Sequence, residues 1–193
     1  MTTEQHGRSL KCPPPLRSRG FTLVELIITM AIVAILAAVA MPSFRELRIR
    51  TNVTQTTNDL IIDLNTARAE AVKRGYPVAV IAKPGGWAAG WQVQSDNTVD
   101  GIYGNTSGTV SDELLRDHAA VAATYDLRGA PKVAGGPIDR VVFNSSGFST
   151  GGDFDFVVCR PDTNNDQNRA VLIQTAGIVS NRRKPLGLAV ACN

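Results

Sequence analysis

Apolar and polar positions divide the chain into three regimes. Residues 21–41, FTLVELIITMAIVAILAAVAM, are apolar on every face and are interrupted only by Thr22, Glu25 and Thr29. At about 1.5 Å per residue this run makes roughly 30 Å of helix, the depth of a bilayer core. After Pro42 the pattern changes. Val53, Thr57, Leu60, Leu64, Ala67 and Ala71 alternate steps of four and three, one stripe of an amphipathic helix, and Gly75 supplies a stop.

Beyond Gly75 the period shortens. PVAVIA (77–82), WQVQS (91–95), RVVF (140–143), FDFVVC (154–159), RAVLIQT (169–175) and LGLAVAC (186–192) are β-rich or alternating, and Gly, Asn, Asp and Pro separate them. They predict an antiparallel head on which the helical stripe packs. The fold class is therefore α+β: a long N-terminal helix, half membrane-spanning and half amphipathic, on an antiparallel β-sheet. The polar segment 96–108 contains no clear element and reads as a surface excursion.

Two alternatives to a membrane span fit these residues less well. A secretory signal peptide has a shorter apolar core, whereas here Pro42 and Arg45 follow the run and the helical pattern continues. A buried core helix is disfavoured because few soluble helices are apolar all round for this length. Charge adds little about partners. Arg8, Lys11, Arg17 and Arg19 against Glu4 account for the whole net charge of +3, so the remainder is formally neutral and does not argue for nucleic acid. Arg45, Arg48 and Arg50 nearly match the basic residues before the span, so charge alone fixes its orientation weakly.

Glu25 is the informative position. A carboxylate in a membrane helix costs about 3 kcal/mol or more, so such an acid has a partner or snorkels to the interface. No Lys or Arg lies within residues 21–41. A cut between Gly20 and Phe21 would create a cationic α-amine about 6 Å up the axis, or nearer on a neighbouring helix. A contact at about 4 Å in an effective dielectric of about 20 is worth roughly 4 kcal/mol, comparable with the burial cost.

At these residues the chain resembles the type IV pilin and pseudopilin superfamily, whose signature is a basic leader ending in Gly, then Phe, Thr, Leu, a hydrophobic residue and Glu. The matching residues are Gly20, Phe21, Thr22, Leu23, Val24 and Glu25, and Pro42 matches the superfamily's helix proline. The resemblance implies cleavage after Gly20 by the prepilin peptidase and N-methylation of Phe21. It also implies that Glu25 pairs with a neighbouring subunit's N-terminus during assembly. It divides the chain into a leader (1–20), a transmembrane helix (21–41), an amphipathic continuation (42–75) and a periplasmic β-rich head (76–193). The implied location is the bacterial inner membrane, single-pass with the N-terminus cytoplasmic, and then a pilus or pseudopilus. Other pilins or pseudopilins, membrane lipid and an inner-membrane assembly platform are the implied partners.

The order of LNTARAEAVKRG (64–75), GWAAGWQV (86–93), DELLR (112–116), VVFNSSGFSTGG (141–152) and AVLIQTAGIV (170–179) is similar to the GspH/FimT family of minor pilins and pseudopilins. Such subunits serve the type IV pilus and the type II secretion system, and the cysteine pair and GWAAGW region lean toward the pilus. Trp87 and Trp91 would share one face if extended, and read as packing residues rather than a binding pair.

Cys12 lies in the leader, leaving Cys159 and Cys192, which in a periplasmic head are expected to form a disulfide. No cofactor or metal site is expected, and no enzymatic activity. His6 falls in the leader, His118 stands alone in the sequence, and no Walker P-loop or G-x-S-x-G occurs. Asp162, Asn164 and Asp166 copy the first calcium-loop positions, but Gln167 replaces the required glycine and Ile173 the final glutamate. Arg182, Arg183 and Lys184 are consecutive and could contact DNA phosphates or form a solvated turn between two strands. Some FimT-type proteins use a Gly-Arg-x-Arg motif in DNA uptake. Here the matching stretch is Gly177, Ile178, Val179 and Ser180, so both arginines are lost. The expected function is a structural filament subunit, with a DNA-binding minor pilin for natural transformation as the alternative.

Overall fold

The computed structural model describes residues 20–132, 138–162, 167–183 and 192, the side chain of residue 42 excepted. The chain forms two compact units, residues 1–43 and 44–193. One helix, α1 (Leu23–Arg74), contributes to both.

In the first unit the described residues are the start of α1 and the three residues before it, Gly20 to Thr22. Thr22 caps this helix: its Oγ1 accepts the Glu25 backbone N–H at 3.2 Å. Thr-x-x-Glu is the capping-box spacing, and it puts the Glu25 carboxylate in the first turn, where the helix dipole favours an anion. The large apolar side chains of the unit, Leu26, Ile28, Ile35 and Val39 among them, are all at least half exposed. This stretch is long and apolar enough to cross a membrane, by length and composition.

In the second unit the stripe on α1 is buried without exception. Val53, Thr57, Leu60, Leu64, Ala67 and Ala71 are each no more than 1% exposed. Gly75 ends the helix at φ +75°, its N–H bonding the Ala71 carbonyl at 3.0 Å, a left-handed cap open to glycine without strain.

The strands are β1 (Val78–Ala82), β2 (Trp91–Ser95), β3 (Thr106–Ser107), β4 (Val110–Ser111), β5 (Glu113–His118) and β6 (Asp126–Pro131). They continue with β7 (Arg140–Phe143), β8 (Ser149–Thr150), β9 (Phe154–Cys159), β10 (Arg169–Ile173) and β11 (Val179–Arg183). They form two main antiparallel sheets, ordered β5-β2-β1-β7-β8 and β11-β10-β9-β6, and a small β3-β4 hairpin. Core-facing residues of both main sheets join the α1 stripe in one cluster, including Val80, Val93, Phe143, Phe156, Val171 and Ile173.

Five predicted strands appear within two residues of their expected bounds; the sixth, 186–192, lies outside the described residues except for Cys192. Among strands longer than two residues, three escaped the pattern. β5 is an edge strand with no buried residue, so its charges suit a solvent-facing sheet edge rather than an alternation. β6 carries Gly129 and Pro131, which lower strand propensity. A β-carbon on Gly129 would lie 2.5 Å from Phe156 Cε1, so the glycine makes room for the ring that Trp87 meets edge-on at 4.7 Å. The third, β11, corrects the expectation of a turn at Arg182 and Arg183: these residues pair with β10.

The segment 96–108 is largely the expected excursion, but it is organised from within. Asp96, 1% exposed, accepts the N–H groups of Asp100 and Gly101, and Asp112 accepts those of Asn97, Thr98 and Asn105.

Candidate functional site

The assembly residues inferred from the sequence sit at the free start of α1. Gly20 and Phe21 precede the helix, and Phe21 is 81% exposed. Glu25 lies within the first turn and is exposed, as is every residue from 20 to 39. No Lys or Arg lies between Phe21 and Phe44, so this stretch of the helix carries no cation for the acid.

The head is held by three polar ties that the sequence did not reveal. At one end, Arg160, whose side chain is 1% exposed, binds Asp162 through Nε (2.7 Å) and Glu46 through Nη2 (2.7 Å), while Nη1 reaches Gln167 (2.6 Å). The Arg160 hydrogen bond, then that of Arg50, holds the Glu46 carboxyl below its ordinary value, and Arg160 does the same for Asp162. Their hydrogen bonds raise the Arg160 guanidinium in turn, so it stays charged at any relevant pH.

In the middle, Asp63 is 4% exposed, with Oδ2 accepting Trp91 Nε1–H at 2.8 Å and Oδ1 accepting Arg116 Nη1–H. His118 stacks on the Trp91 ring at 3.8 Å and lies 3.4 Å from Asp59 Oδ2 through Nε2. The expectation that His118 stands alone is therefore corrected: the β2-β5 pairing places it directly opposite Trp91, where it meets an acid from α1. Trp87 and Trp91 do not lie along one extended face. A 3-10 turn (Trp87–Ala89) and Gly90 separate them, and both are buried, with Trp87 Nε1–H donating to the Ile138 carbonyl at 2.7 Å.

At the far end, Arg68 of α1 donates to the carbonyls of Gly147 (3.1 Å) and Ala176 (3.4 Å). Gly147 and Gly177, from the quoted segments VVFNSSGFSTGG and AVLIQTAGIV, meet there. A β-carbon on Gly177, at φ +75°, would lie 1.9 Å from the Gly147 oxygen.

Cys159 at the end of β9 and Cys192 form a disulfide with Cα atoms 5.7 Å apart. The basic cluster is not a single patch. Strand alternation turns Arg182, opposite Ala170, toward the face of the disulfide, and Arg183, opposite Arg169, toward the face of Val171 and the core. Lys184, Asn164 and Asp166 lie outside the described residues. Among the described residues no group of three His, Cys, Asp or Glu is arranged to hold a metal ion.

A prokaryotic N-terminal methylation motif matches residues 15–41, and the family model described as type II transport protein GspH matches residues 56–177. The chain belongs to the GspH family. Among solved structures, the GspH head is similar to the type IV minor pilin FimU of Pseudomonas aeruginosa, with TM-score 0.53, 23% identity, and 70% of this chain and 91% of that one covered. The minor pseudopilin EpsH from the type II secretion system of Vibrio cholerae gives TM-score 0.53 at 12% identity, covering 71% and 97%. These are likenesses of fold. A fimbrial protein of Pseudomonas aeruginosa is 39% identical over 66 residues, 34% of this chain and 42% of that protein, so the chain spans about two fifths of that relative's length.

Proposed function

We propose that the chain is a structural filament subunit, a minor pilin or pseudopilin of a type IV pilus or a type II secretion pseudopilus. The observation that carries this reading is the apolar start of α1, at least half exposed at every large side chain and beginning with Phe21 and Glu25 inside the methylation-motif match. Surface of that kind needs a cover, and lipid followed by the helices of other subunits supplies one. The prepilin peptidase cuts after Gly20, and Phe21 is N-methylated. The subunit rests in the inner membrane with the head outside, and the assembly platform moves it into the filament. Glu25 then pairs with the new amine of a neighbour. The head contributes position and contacts rather than catalysis.

Mass spectrometry of the protein from a host with and without the peptidase tests the processing steps. The expected mature N-terminus is methylated Phe21, lost from peptidase-free cells. A membrane-bound chain that keeps residues 1–20 in peptidase-positive cells would refute the reading. The alternative of a DNA receptor draws no support from the basic cluster, because alternation along β11 sends Arg182 and Arg183 to opposite faces.

A further inference from the structure

A cavity of about 290 Å³ opens between α1 and the ends of β10 and β11. Arg50 and Thr54 line it from one face of α1, four residues apart, with Val53 beside them. Arg169 and Arg183 line it from the strands, next to Gln167. Among the described residues, no acidic side chain lines it.

Charge bookkeeping makes this arrangement unusual. Glu46 accepts from both Arg50 and Arg160, and Asp162 accepts from Arg160, so two acids serve these two arginines. Arg169 and Arg183 have no acidic partner among the described residues, yet they are direct cross-strand partners. Like charges placed opposite each other on adjacent strands repel. One inward-facing charge on an edge strand discourages edge-to-edge pairing. A second charge directly across from it adds repulsion without adding to that effect, a repulsion that an anion between them would offset.

We propose that Arg50, Arg169 and Arg183 form a binding site for a phosphomonoester dianion. The two unserved guanidiniums supply two positive charges, and a phosphomonoester carries about −1.5 to −2 near neutral pH. The planar guanidinium fork matches a pair of phosphate oxygens and donates paired, charge-assisted hydrogen bonds. Val53 and the stems of the arginines leave an apolar wall for a small organic body. Free phosphate and a phosphorylated small molecule share the recognised chemistry, and the site binds both.

Isothermal titration of the full chain in uncharged detergent micelles, at fixed low ionic strength, tests this with inorganic phosphate and glycerol 3-phosphate as separate probes. Both are expected to bind one site saturably, with glycerol 3-phosphate tighter if an organic phosphate is the natural source and equal if free phosphate is. Arg169→Gln and Arg183→Gln should each weaken binding at least about tenfold, the loss of a charged hydrogen-bonding partner. Arg140→Gln, a change on the other main sheet, should leave it unaltered. Affinity should fall between about pH 7.5 and 5.5 as the phosphate loses its second charge. No saturable binding of either monoester would overturn the proposal, as would unchanged binding by both variants. So would binding of a single-stranded oligonucleotide alone, which would make the surface a phosphodiester one.

Discussion

The two halves of α1 obey opposite rules. In the head, the stripe from Val53 to Ala71 keeps a three-four spacing and is sealed: Leu60 and Leu64 are 0% exposed, while Ile62 and Val72, off the stripe, face outward. Before residue 44, apolar residues occupy all sides, and Ile28, Ile35 and Val39 are between 54% and 74% exposed. One half is completed by its own chain, at about 1.5–3 kcal/mol per fully buried large side chain. The other can be completed only by lipid or by other helices, so the same secondary structure serves folding in one unit and association in the other.

Mutation separates the two rules. Leu64→Ala should destabilise the head by about 2–5 kcal/mol, the cost of deleting a buried side chain and leaving a cavity. Ile28→Ala should leave head stability unchanged, as read by denaturant unfolding of the full chain in micelles. Equal losses from both would erase the distinction.

Reduction of the Cys159–Cys192 bond, which spans 33 residues, should remove about 3–4 kcal/mol from the head in the chain-entropy account. The same unfolding measurement with and without reductant reads it. Gly177→Ala forces both an unfavourable φ and a collision with the Gly147 carbonyl, and should cost about 1–3 kcal/mol. Hydrogen exchange should rise first in the turns at 144–148 and 174–178.

The smallest effect is on pH dependence. Glu46 and Asp162 titrate below their ordinary values of 4.5 and 3.8 in the folded head. Their contribution is therefore complete above those values and lost as pH falls through the lower folded ones. Stability should be flat with respect to these groups from about pH 7 to about pH 5 and decline below about pH 4, with a shallower acid limb in Arg160→Met.

The helix and most strands were legible because their signals are local: an unbroken apolar run, a stripe, short alternating segments. What remained hidden is non-local. The partner of Arg160 is Glu46, more than a hundred residues earlier in the chain, and His118 meets Asp59 only because β5 joins the edge of a sheet whose alternation its own residues do not show. Three consecutive basic residues looked like one patch until pairing with β10 placed Arg182 and Arg183 on opposite faces. Glu25 stands out in the sequence as an exception within its run, whereas the contact of its backbone N–H with the Thr22 hydroxyl belongs to the folded helix.

That acid carries the central claim. Its carboxylate occupies the first turn of a helix that has no Lys or Arg before Arg45, and the amine it is proposed to meet exists only after the bond between Gly20 and Phe21 is cut. The decisive measurement is the fraction of cleaved, membrane-inserted Glu25→Ala subunit recovered in sheared filaments, relative to the unsubstituted chain expressed at the same level. A loss of tenfold or more is expected, since removal of a contact of roughly 4 kcal/mol far exceeds the 1.4 kcal/mol that each factor of ten requires. Equal recovery would contradict the pairing.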